Sequence, residues 1–118
     1  MTTDNDSPVL IDLDFFESRR QIGEDFLEKL VEVFSLEAPK LINKIKVLVK
    51  ERNQADLADS GHKFKGMCLN VGADKLSILG KTIESFAKAG NIDELDDVVK
   101  ELDNVLVNTL SEMKKLTK

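Results

Sequence analysis

Four segments of this chain repeat apolar residues at intervals of three and four, and a glycine or a small polar residue stands between one segment and the next. That spacing lays an apolar stripe along one face of each helix. Helices joined by short turns run antiparallel, so the four stripes can bury one another in an up-down-up-down four-helix bundle. The first long segment runs from about Glu24 to Arg52, with Phe26, Leu30, Val33 or Phe34, Leu41, Ile45, Leu48 and Val49 as its stripe. Pro39 lies inside it and removes a backbone donor, which would kink the helix or start a second one, and a bent helix is expected. Asn53, with Asp56 three residues on, predicts the cap of the next helix, which stops near Gly72. A further helix runs from about Asp74 to Ala89 on Leu76, Leu79, Ile83 and Phe86, and Gly90 ends it. Asn91 and Glu94 resemble a capping box for the last helix, which carries Leu95, Val98, Val99, Leu102, Val105, Leu106, Leu110, Met113 and Leu116 and closes on Lys114 and Lys115. Ahead of these four, Asp12 predicts the cap of a short extra N-terminal helix that reaches Gly23. The fold class is therefore all-α.

At 118 residues the chain has the size of one domain. Residues 1–8 are polar and read as a flexible tail, and residues 9–118 as the bundle. The net charge of −5 argues against a nucleic-acid partner. Cys68 is the sole cysteine, so no internal disulfide is possible, which suits a reducing compartment. The N-terminus has no apolar signal region, and no apolar run approaches the ~20 residues of a membrane span. A cytoplasmic protein with no membrane association is expected, and the initial Met with its polar tail favours a free-standing one.

The single histidine stands in "GHKFKGMCLNVGA", residues 61–73. With ~100° per residue, Leu57, Gly61, Phe64, Cys68 and Val71 share one side of the helix, the core stripe. His62 lies ~140° from the centre of that stripe and is expected to face solvent. Lys65, Gly66 and Leu69 follow at three, four and seven residues and so share its face, while Lys63 sits on the other flank. Most lone histidines are ordinary surface residues, and lysines on a solvated face are common. Here, however, a mid-helix glycine, costing ~1 kcal/mol relative to alanine, lies one turn from the histidine. Such a glycine marks a close approach to the backbone, and Leu69 is an apolar residue outside the stripe. A neutral imidazole is a nucleophile near neutral pH, and a lysine one turn away can steady an anion held on it.

The stretch resembles the signature of the histidine-containing phosphotransfer (HPt) domains, H-x-[hydrophobic]-K-G-x-x-x-x-[hydrophobic]-G-A. His62, Phe64, Lys65, Gly66, Val71, Gly72 and Ala73 fill its places. The upstream "IDLDFFESRRQIGEDFLEKLVEVF" and downstream "IESFAKAGNIDEL" are similar to the family as well, so the resemblance covers residues 9–116. Met67 and Cys68 depart from it, since the family often has small residues after the glycine.

The resemblance implies that His62 is the phosphoacceptor, Lys65 the phosphate-stabilising residue and Gly66 the clearance for a partner; the helical geometry adds Lys63 and Leu69 as docking residues. It implies a phosphoryl carrier without catalytic machinery of its own. The partners would be the receiver domains of response regulators and a sensor or hybrid histidine kinase, with Mg²⁺ on the receiver and no cofactor on the carrier. One set of stripes can close its own core, so a monomer is expected. The phosphoacceptor region of a sensor kinase fits less well, because Lys63 follows the histidine where an acidic residue is usual and no proline lies near. A helical protein–protein interaction module without phosphoryl chemistry is the alternative. One His and one Cys supply too few ligands for a metal site, and Cys68 on the core stripe reads as an inert thiol.

Overall fold

The computed structural model describes residues 9–117; the tail expected over residues 1–8 lies outside the described residues. The described residues form five α-helices: α1 (Leu13–Ile22), α2 (Glu24–Glu51), α3 (Gln54–Leu69), α4 (Asp74–Lys88) and α5 (Leu95–Leu116). A 3₁₀ turn, Ile92–Glu94, leads into α5. In the four-helix ring, α2 packs on α3, α3 on α4, α4 on α5, and α5 back on α2, while α1 lies against α2. Phe16, Phe34 and Phe64 are the largest side chains fully inside, packed among Leu27, Ile42, Ile45, Leu57, Leu76, Ile83, Leu95, Leu102 and Met113.

The caps follow local chemistry. The Asp12 side chain accepts from the Phe15 amide and opens α1, and the Asn53 side chain accepts from the Asp56 amide and opens α3. Gly72, at φ +73°, turns the chain between α3 and α4, and Gly90, at φ +79°, turns it after α4. The Asp12 amide donates to the Gly72 carbonyl at 2.8 Å, so the start of α1 is fastened to the α3–α4 turn. Arg20 reaches Glu17, Glu24 and the Leu116 carbonyl, which fastens the end of α1 to the end of α5.

Through Pro39 the chain continues as the one helix α2, with no second helix starting there. A proline removes one i→i−4 bond, and the buried Ala38 and Ile42 on either side hold the helix against the core. Two sequence expectations are corrected. The stripe of α2 is rotated by one residue in its first half. Leu27, Val31, Phe34, Ala38 and Ile42 are buried, whereas Phe26 and Val33 are exposed and Leu30 and Leu41 only half-buried. The two candidate stripes share one period, and only the neighbouring helices decide between them. Lastly, the Asn91 side chain caps nothing. Its carbonyl accepts the Glu94 amide at 3.3 Å in the 3₁₀ turn, so α5 begins at Leu95.

Candidate functional site at the α3–α4 crossing

Gly61 of α3 and Gly80 of α4 meet where the two helices cross. A Cβ on Gly61 would stand 2.8 Å from the Glu84 backbone nitrogen and 3.1 Å from the Gly80 carbonyl oxygen. A Cβ on Gly80 would stand 2.9 Å from the Lys65 backbone nitrogen. Neither helix has room for a side chain there, so the pair of glycines sets how closely the backbones approach. Lys65 and Glu84, the residues on which they close, both belong to the site.

Glu84 projects from α4 beneath His62 and Lys65, and its side chain is only 11% exposed. Its Oε1 lies 3.3 Å from Lys65 Nζ, and its Oε2 lies 3.0 Å from Lys88 Nζ and 3.2 Å from His62 Nδ1. Burial of a carboxylate disfavours its charge. The Lys88 ammonium, and after it that of Lys65, outweigh this burial and hold Glu84 down at about 2. The carboxylate is thus a fixed negative charge under the ring.

The placement of His62 agrees with the helical phase. Leu57, Gly61, Phe64, Cys68 and Val71 are all buried, and the imidazole is 64% exposed. A neutral imidazole carries one proton, and an ionised carboxylate facing Nδ1 favours that proton there. The Nε2 lone pair is then free on the solvent side. One turn along, a Cβ on Gly66 would meet nothing within 4 Å, so the helix surface beside the ring is bare.

Lys63 and Leu69 do not join the cluster around Glu84. Lys63 is exposed and lines a groove of about 370 Å³ between α2 and α3, with Lys40, Lys44, Leu41, Glu37 and Met67. That groove runs on past Glu37 and Met67 into an apolar depression where Leu30 and Val33, from the α2 stripe that the core leaves uncovered, lie beside Val71 of the α3–α4 turn. Leu69 is 49% exposed. Met67 is half-buried and shapes the groove; Cys68 is buried, and burial pushes its thiol far up, away from the reactive thiolate. Among the described residues, no three His, Cys, Asp or Glu side chains gather as a metal site.

Glu84, Lys88 and the glycine pair carry no signal in the phosphotransfer signature. In sequence Glu84 and Lys88 read as an ordinary surface pair at i,i+4. The available clue is positional: Glu84 follows Ile83 at the edge of the α4 stripe, and Gly80 lies one turn before it on the same face.

A bundle of this order, with an exposed histidine one turn from a bare glycine, is the class of protein that comparison with known proteins identifies. The sequence profile described as the Hpt domain matches residues 29–113, and the chain belongs to that family of histidine-containing phosphotransfer domains. It is 32% identical over 77 residues to the phosphorelay intermediate protein YPD1 of Candida albicans, a match covering 64% of this chain. The chain spans less than half of that relative, 42% of its length. Two solved structures show the same fold. Histidine-containing phosphotransfer protein B of Pseudomonas aeruginosa superposes with a TM-score of 0.87 at 20% identity, covering 94% of this chain and 96% of its own. The HPT domain of a Shewanella sensor hybrid histidine kinase gives 0.73 at 19% identity, covering 91% and 92%.

Proposed function

We propose that this chain is a phosphoryl carrier of a two-component phosphorelay, with His62 Nε2 as the atom that is phosphorylated. The observation that carries the reading is the His62–Glu84 pair: an exposed imidazole whose Nδ1 faces a buried, ionised carboxylate. In the step proposed, the Nε2 lone pair attacks the phosphorus of a receiver's aspartyl phosphate. The P–O bond to the aspartate breaks and its electron pair returns to that carboxylate. The ring keeps its Nδ1 proton and becomes cationic, and Glu84 offsets the charge directly beneath it. Reversal of the step delivers the group to a second receiver. Lys65, two-thirds or more covered and held at 3.3 Å from Glu84, is positioned to turn its ammonium to the phosphoryl oxygens. The bare backbone at Gly66 admits the partner, and Lys63 and Leu69 flank the approach.

In this reading the carrier has no kinase or phosphatase activity of its own, and acidic residues and Mg²⁺ come from the receiver. A cytoplasmic location suits such partners; among the described residues no helix is long and apolar enough to cross a membrane. The carrier acts as a monomer, with sedimentation at the mass of one chain as the check. A tight dimer that buries His62 would contradict it.

The deciding experiment incubates the chain with a phosphorylated receiver domain and Mg²⁺. Acid-labile, base-stable label on His62 is the expected result. No label from any of several receivers would overturn the reading in favour of a helical interaction module.

A further inference from the structure

The groove of about 370 Å³ between α2 and α3 is basic, on a chain whose net charge is −5. Lys40, Lys44 and Lys63 stand along it against a single carboxylate, Glu37, with the half-buried Leu41 and Met67 between them. Glu37 lies 3.5 Å from Lys40, whereas Lys44 and Lys63 pair with no carboxylate among the described residues. Ammonium groups gathered on one groove repel each other unless anions join them. The groove therefore fits an acidic segment.

The chain itself supplies one. Residues 1–8, "MTTDNDSP", carry Asp4 and Asp6 as their only charged side chains. The Asp12 amide donates to the Gly72 carbonyl at 2.8 Å, so the chain enters the described fold at the end of α3. The apolar arm of the groove, with Asn70 and Val71, opens at that same end. Lys63 stands six residues back from Leu69, the last residue of α3, or ~9 Å along the axis. Asp6 and Asp4 precede Val9 by three and five residues, up to ~10 and ~17 Å of extended chain. We propose that residues 1–8 seat in this groove, with Asp4 and Asp6 among its lysines, and that a partner docking on the Lys63 side must displace them. Exposed ion pairs are individually weak and screened by salt. A segment tethered beside its groove, however, needs no bimolecular encounter. The seat is thus held in the free chain and yields to a partner. Its consequence for transfer rests on the reading of His62 as the phosphorylated residue; the seat itself does not.

The test places a nitroxide at residue 3 through Thr3→Cys; Cys68 is buried and does not compete for the label. Amide NMR signals of Lys44, Lys63 and Met67 are expected to lose intensity relative to the same chain with the nitroxide reduced. The loss should fade in about 1 M NaCl, where the Debye length is ~3 Å, and in the Lys40→Gln/Lys44→Gln chain. A loss that reaches no residue of the groove, or that salt leaves unchanged, would overturn the proposal. So would a loss seen on a nitroxide-free, isotope-labelled chain mixed with the nitroxide chain, which would make the groove a contact between two copies. Removing residues 1–8 should raise the rate of transfer from a phosphorylated receiver about threefold at low salt, the size of an exposed charge contact. An unchanged rate would overturn the displacement. Full-length and shortened chains that both take no phosphoryl group would overturn the reading of His62 alone, because the spectra decide the seat without phosphoryl chemistry.

Discussion

Replacing Gly61 by alanine puts one methyl group into the closest backbone approach at the site. The new Cβ would lie 2.8 Å from the Glu84 nitrogen, 3.1 Å from the Gly80 oxygen and 3.1 Å from Ile83 Cγ2. Two of these are backbone atoms of α4, so relief requires moving a helix rather than turning a side chain. Overpacking of this kind costs about 1–3 kcal/mol, and the gain in helix propensity from Gly to Ala returns about 1 kcal/mol. About 0–2 kcal/mol of net loss is left, and a 2.8 Å approach to a backbone atom puts the change in the upper half of that range, roughly 4–8 °C in Tm for a domain of this size. The same displacement draws Glu84 away from His62 and Lys65, so the rate of phosphoryl transfer should fall with stability. Gly66→Gln is the internal control. Gly66 lies on the same helix with nothing within 4 Å of a Cβ, so the change should leave Tm level or raise it, by up to about 1 kcal/mol of stability. A long side chain beside the ring should still slow transfer by blocking the receiver. Differential scanning calorimetry with a receiver-transfer assay on the same samples reads both quantities. A Gly61→Ala chain melting at or above wild type would refute the close-crossing argument. A Gly66→Gln chain that transfers at the wild-type rate would refute the clearance argument.

Because His62 is 64% exposed and outside the core, His62→Gln should abolish phosphorylation while circular dichroism and melting shift little; a collapse of stability would contradict that placement. Lys65→Ala should slow transfer, or change the lifetime of the phosphohistidine, by an amount worth at most a few kcal/mol, and unchanged rates in both directions would leave Lys65 a solubility residue. Glu84 titrates at about 2 in the folded chain, below its ordinary value of 4.5. A depressed folded-state value means that its contribution is complete above the unfolded value and is lost as pH falls from there towards 2. Denaturant titrations across that window should show Glu84→Gln with a flatter pH dependence than wild type, and identical slopes would refute the ionised state assigned to Glu84.

Local chemistry made most of the bundle legible. Asp12 and Asn53 cap the helices they were expected to cap, because a short polar side chain ahead of an apolar period has one good use. The phase of α3 was legible too, since a single narrow stripe from Leu57 to Val71 left His62 no option but solvent. The phase of α2 was not. Its first half is apolar on two adjacent stripes, one through Phe26, Leu30 and Val33 and the other through Leu27, Val31 and Phe34. Both have helical period, and the packing of neighbouring helices against α2 buries the second. The site divides in the same way. His62, Lys65 and Gly66 stand within one turn of each other and could be read together, but Glu84 and Lys88 belong to a different helix, and a contact across 22 residues has no local signature.

The pairing of Gly61 with Gly80 gives that long-range contact its physical reason. A carboxylate with 11% of its side chain exposed is costly to keep ionised unless donors surround it. Here each oxygen has a lysine, and one also faces the imidazole. Hydrophobic residues of similar volume can match or exceed a buried ionic cluster in stability, so stability alone is a weak reason to keep Glu84. The proposed carrier chemistry would supply a stronger one. Attack through Nε2 would turn a neutral ring into a cation, and a charge fixed beforehand beneath Nδ1 would stabilise it without reorganisation at the moment of transfer. Such a charge must sit within hydrogen-bond reach of the ring while the opposite side stays open to a partner. A second helix brought against α3 by facing glycines meets both requirements, because it leaves the outer face of His62, Lys63 and Gly66 free of covering side chains.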